Sequence, residues 1–294
     1  MDDVFQRWKQ LTQRERNVFV VVKVGNELED DYLMELCLRQ LSLKQRNKIL
    51  ARKNRHDQRM ALLGGLLLRA ILSLEYEMDI LFEPEITVAP CGKPSIEQLE
   101  YNMADDESVI GLVFRRKDDA LQLGNVLEKL PTKPLGIDLA DIQTIKQFQE
   151  DPLQLLRSFS DIFHPNETKV LERELPRHTE EKQFEILTQY WALKESCSKY
   201  HGVGLHQPLH QWVYRDISVL QIEKSLKEDE MEAGLSRIHL RKLDLDWNYY
   251  HGTEPAYVCK LTSRIIASVI ADAKPIVVQM SEQLIIDYAK RNSK

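Results

Sequence analysis

Apolar residues recur along this chain with two different periods. Asn17 to Val24, NVFVVVKV, is an unbroken β-branched run and predicts a buried central strand. From Glu29 to Leu41 the spacing of Leu33, Leu36, Cys37 and Leu41 is helical. Asp57 to Leu74 is apolar on nearly all sides, which predicts a helix buried in its lobe with Asp57 favourably placed at its start. Gly64 and Gly65 weaken that helix unless another backbone packs against them. Glu85 to Ala89 reads as a strand, Gly92-Lys93-Pro94 as a turn, and Ser108 to Phe114 as a further strand. Residues 118 to 133 are polar and form a connector.

Beyond the connector, Leu135 to Asp141 alternates strictly. Leu135, Ile137 and Leu139 go to one face, and Gly136, Asp138 and Ala140 to the other. Helices are predicted over 143 to 150, 151 to 163 and 179 to 200. Strands are expected near Trp212 to Val219, Ser236 to Leu243 and Ala256 to Ile270, with a closing helix from Ser281 to Arg291. No short repeat is present.

The 294 residues suffice for one large domain or two smaller ones, and 43% hydrophobic with 29% charged residues is a globular composition. The longest apolar stretch, Ala61 to Leu74, carries Gly64, Gly65 and Arg69 and is too short to span a bilayer. Met1-Asp2-Asp3-Val4-Phe5 lacks the basic start of a signal peptide, and Cys37, Cys91, Cys197 and Cys259 are too scattered for a zinc knuckle or a disulfide framework. Reduced thiols and a cytoplasmic location are the expectation. A formal charge of −6 argues against nucleic-acid binding. Lys44, Arg46, Lys48, Arg52, Lys53, Arg55 and Arg59 nevertheless crowd one segment, either as a solvated helix face or as an anion site.

Two stretches carry candidate chemistry. In YWALKESCSKYHGVGL, from Tyr190 to Leu205, Trp191, Glu195 and Lys199 lie four apart on one helical face. That face continues the apolar stripe of Phe184, Leu187 and Trp191, so Glu195 falls at a core edge and requires a cation, Lys199 or a metal. An exposed Glu-to-Lys pair has the same spacing. Asp138 projects from a strand face of small residues that leaves room for a ligand; a strand-end Asp that caps the next turn is the alternative.

GIDLA followed by YWALKESCSKYHGVGL, with CGKP and YNMADDESVIGLVF upstream, resembles the motif series of the large, two-lobed 4′-phosphopantetheinyl transferases. Asp57, Gly64 and Arg69 match a further helix pattern of that family. The form of the KES helix and the residue at position 140 look most like fungal members that activate α-aminoadipate reductase for lysine synthesis. The resemblance implies an α+β fold, a pseudo-dimer of two similar α/β lobes, here 1–133 and 134–294, in a monomeric protein.

It also implies an activity: transfer of the 4′-phosphopantetheine arm of coenzyme A to a serine of a carrier domain, with Mg²⁺ and no membrane partner. On this reading Asp138 and Glu195 hold the metal, Glu195 and Lys199 are catalytic, and Lys48, Arg46, Lys93 and Asn102 bind coenzyme A. Glu167 matches a family acid, and a helix-start acid is its other reading. Two positions depart from the pattern. Ala140 stands where many relatives supply a third carboxylate, and Ala104-Asp105 replace a Ser-His pair that meets phosphate. A protein that binds coenzyme A or a carrier without catalysis is the competing expectation. A generic acyltransferase is poorer, because no nucleophile with a positioned His is visible.

Overall fold

The computed structural model describes residues 2–76, 85–88, 93–117, 133–204, 207–214, 239–250 and 254–291. Residues 118–132 of the expected connector, Cys91, Gly92 and residues 215–238 lie outside them.

The β-branched run forms β1, Val18–Lys23, between β5, Val109–Arg116, and β11, Ile276–Met280. β4, Leu99–Asp106, and β7, Leu240–Leu243, complete a sheet of order β4-β5-β1-β11-β7. β1 runs parallel to β11 and antiparallel to β5. β6, Gly136–Asp141, opens a second, antiparallel sheet of order β6-β10-β9-β8, with β8 Asn248–Tyr250, β9 Ala256–Lys260 and β10 Ile265–Ile270. A two-stranded ribbon pairs β2, Thr87–Val88, with β3, Pro94–Ser95.

The period of two in the strands sorts side chains into three apolar layers. Val18, Val20 and Val22 join a helix layer made by α1 Asp2–Thr12, α2 Asp31–Leu38, α3 Leu43–Leu50, α4 Arg55–Tyr76 and the closing helix, α9, Glu282–Arg291. Phe19 and Val21, on the opposite face, pack with Ile137, Leu139, Ala267 and Val269, so the two sheets share a core. Ala140, Val258, Ile266 and Ile270 face a second helix layer: α5 Ile142–Phe148, α6 Pro152–Ser158, α7 Pro165–Glu174 and α8 Glu180–His201. The order is helices, sheet, sheet, helices. Each half carries one 22-residue helix, α4 and α8. The mixed α+β architecture with two similar lobes is as the sequence leads one to expect.

The chain does not divide at residue 133. β7, β11 and α9 return to the first sheet and its helices, so residues 240–243 and 276–291 complete the N-terminal lobe. The run from Ala256 to Ile270 is not one strand but a hairpin that turns at Thr262, Ser263 and Arg264. The helix expected over 151–163 ends at Ser158, and Pro165 starts another, with His164 and Glu167 forming a capping box. No strand forms over 212–214, the described part of the run expected there. At Gly64 and Gly65 the neighbours are the side chains of Met103 and Leu41, not a second backbone.

Candidate active site

Gly136 brings the site together. A Cβ at this position would lie 2.1 Å from the Ser196 carbonyl oxygen and 2.8 Å from Tyr200 Cβ, so α8 packs directly on β6 because this residue has no side chain. The space left by small residues on that strand face is therefore filled, at Gly136, by the helix. Two residues along the same face is Asp138, and the helix residue that meets it is Lys199, with Nζ 2.7 Å from Oδ1. α8 stops just beyond, where Gly202 adopts φ 69° and its N–H caps the Ser198 carbonyl.

Trp191, Glu195 and Lys199 are half-buried along the edge of α8, whose neighbouring rows are fully buried. Lys199 pairs with Asp138 rather than with Glu195 one turn back, so the surface i,i+4 pair does not form. Asp138 Oδ2 and Glu195 Oε1 are both buried without a hydrogen-bond partner among the described residues. Burial pushes the Asp138 carboxyl up to about 7 against the pull of Lys199, with Glu195 and Asp106 adding repulsion. Burial likewise raises Glu195, and Lys199 opposes it. With both carboxylates ionised, this corner would carry one negative charge more than Lys199 neutralises.

Such oxygen donors suit a hard cation that keeps several of its waters. Among the described residues no group of three His, Cys, Asp or Glu side chains is arranged to hold a metal, so an ion here would take at most two of the described carboxylates. Asp141 does not replace the carboxylate absent at Ala140. It caps α5 through the Thr144 N–H and pairs with the Arg264 guanidinium. Glu167 is likewise occupied, as the helix-start acid: it accepts from the N–H groups of His164 and Tyr214 and from Lys194 Nζ at 2.6 Å.

The first lobe contributes differently from expectation. Arg46 donates to the Arg39 and Leu41 carbonyls and so braces the end of α2. Lys93 bridges to Glu100 and donates to the Leu135 carbonyl, just before β6. Asn102 is buried, and its Oδ1 accepts the Ile137 N–H. Lys48 and Lys44 are exposed on α3. Asp105 is exposed on the face of β4 opposite to Asn102, and so points away from β6. His56, at the end of the basic stretch, meets the Glu107 carbonyl at 2.7 Å, which brings that stretch to the β4–β5 turn.

Sequence reasoning missed Asp106, which accepts the Asp141 N–H at 2.6 Å and lies close enough to Asp138 to raise its pKa. The clue was present: Asp106 is four residues after Asn102 and so shares its strand face.

Residues 134–262 match the family model of the 4′-phosphopantetheinyl transferase superfamily. That segment runs from the start of β6 to the β9–β10 turn and contains Asp138, Glu195 and Lys199; Lys48, Arg46, Lys93 and Asn102 lie outside it. The chain is also 25% identical over 178 residues to the 4′-phosphopantetheinyl transferase Sfp of Bacillus subtilis (strain 168). The similarity covers 60% of this chain and 66% of that protein. Both likenesses are to 4′-phosphopantetheinyl transferases, and the residues that match the family model include the two carboxylates and their lysine.

Proposed function

We propose that this protein transfers the 4′-phosphopantetheine arm of coenzyme A to a serine of a carrier domain and releases adenosine 3′,5′-bisphosphate. The observation that carries the reading is the pair of buried oxygens, Asp138 Oδ2 and Glu195 Oε1, that have no partner among the described residues and lie near Lys199. A fold alone has no use for two such charges, because each costs desolvation without return.

Asp138 and Glu195 would hold Mg²⁺, which supplies charge neutralisation on the pyrophosphate when bound. Lys199, a third exposed at its side chain, can swing from Asp138 to a phosphate oxygen and steady the departing group as a point charge. Glu195, in its ionised form, would receive the serine proton, and its burial makes that form the stronger acceptor. Lys48, with Lys44 beside it, offers exposed cations to the 3′-phosphate, while Arg46, Lys93 and Asn102 support the lobe and its junction with β6.

The carrier meets an aromatic patch on the same edge of α8. Trp191, one turn before Glu195, packs at 5.4 Å from Phe159 and 6.5 Å from Phe148, and Phe148 is 62% exposed. Leu155, Leu156 and Phe163 are core and contribute nothing to that surface. The preferred carrier is the one of α-aminoadipate reductase, on the resemblance to the fungal lysine-pathway members. Transfer rates on purified carrier domains of reductase, fatty-acid and polyketide type test this; a reductase carrier left unmodified while the others react refutes the lysine assignment. Phe148→Asp should raise the KM for the carrier and leave that for coenzyme A in place.

A further inference from the structure

β4 and β6 are edge strands of different sheets, yet they lie side by side. The contact is made by side chains of one strand on the backbone of the other. Asn102 Oδ1 accepts the Ile137 N–H at 3.3 Å, and Asp106 Oδ2 accepts the Asp141 N–H at 2.6 Å. Both pairs are spaced four residues apart, so the two strands run in the same direction with matched reach. Ala104, between the two acceptors, has a methyl and no acceptor. On its other side β6 pairs with β10 in the ordinary way, and Ile142 continues that side by donating to the Arg264 carbonyl. The N–H groups at 137 and 141 therefore point out of their own sheet, where a buried donor needs an acceptor.

We propose that Asn102 and Asp106 form a side-chain clasp that fixes β6 against the first lobe and thereby sets the position of Asp138, which lies between the two clasped residues. Neither clasp residue touches the reacting groups on this account; both are positioning residues that act through the β6 backbone. The clasp requires an oxygen acceptor at 106, not a charge, so an amide oxygen serves as well. The inference rests on the reading of Asp138 as a site residue, and its main test does not depend on catalysis.

Amide hydrogen exchange on the full chain reads the clasp directly. In Asp106→Ala the Asp141 amide should exchange at least about tenfold faster, and in Asn102→Ala the Ile137 amide should do the same. Asp106→Asn should keep the Asp141 amide protected. In the transfer assay Asp106→Ala should lower kcat by about tenfold or more with little change in the KM for coenzyme A, and Asp106→Asn should restore it. Unchanged protection in Asp106→Ala overturns the clasp. So does an Asp141 amide in Asp106→Asn that exchanges as fast as in Asp106→Ala or as an unprotected amide, a comparison that holds if the alanine variant does not fold. A wild-type protein without transfer activity, but with the exchange pattern above, would refute the proposed function and support the clasp.

Discussion

Lys199 Nζ meets Asp138 Oδ1 at 2.7 Å across the seam between α8 and β6, and in doing so leaves Glu195, on its own helix face, with a buried oxygen that no described residue satisfies. Both carboxylates are raised by burial, so their ionised forms are penalised in the fold at neutral pH. Asp138→Asn and Glu195→Gln should therefore melt no lower than the wild type by calorimetry, while transfer falls on the order of a hundredfold or more. Variants that melt lower yet keep full activity would show the carboxylates to be structural.

Gly136 gives a sharper structural test. Its absent side chain admits the Ser196 carbonyl, which is main chain and cannot rotate aside. Gly136→Ala should lose several kcal/mol, on the order of 3, because β6 and α8 must separate to admit the methyl. A chemical denaturation midpoint within error of the wild type would contradict this packing.

Lys194 is fully buried, with Nζ bonded to Glu167 and to the Trp212 carbonyl. Lys194→Met should cost about 3–5 kcal/mol, since Glu167 then keeps a buried charge without its cation. Adding Glu167→Gln should cost less than the sum of the two single changes, and denaturation of the four proteins measures that coupling. Strict additivity would mean the pair does not interact.

Asp106 predicts a pH dependence. Burial raises its pKa to about 6, above the unfolded value of about 3.9. A raised carboxylate destabilises the fold once ionised, so the penalty is absent below the unfolded value, grows as pH rises from there to about 6, and is constant above it. Asp106→Asn removes it. The variant should melt higher than the wild type at pH 8 and converge with it near pH 4. A melting difference that is flat with pH would contradict the environment described for Asp106.

Much of this was legible in residues. Periodicity located β1, β5, β6, α4 and α8 within a few positions, because each is long and strongly patterned. The strand period fixed the face of Asp138 and the helix period that of Glu195 and Lys199, while their joining into one site came from the family resemblance and not from either period. The return of Ile276–Met280 to the first sheet was not, since a parallel pairing with Val18 depends on no local signal. Nor were the tasks of Arg46, Lys93 and Asn102. Each takes a partner from a carbonyl or N–H remote in sequence, and composition marks such residues as cations or amides without saying what they hold.

The central claim is tested by incubating the protein with coenzyme A, Mg²⁺ and an unmodified carrier domain and reading the carrier by mass spectrometry. The account predicts a carrier heavier by one phosphopantetheine on its serine, lost on chelation and in Asp138→Ala and Glu195→Ala. A carrier left unmodified by correctly folded wild-type protein, across reductase, fatty-acid and polyketide carriers, would contradict it.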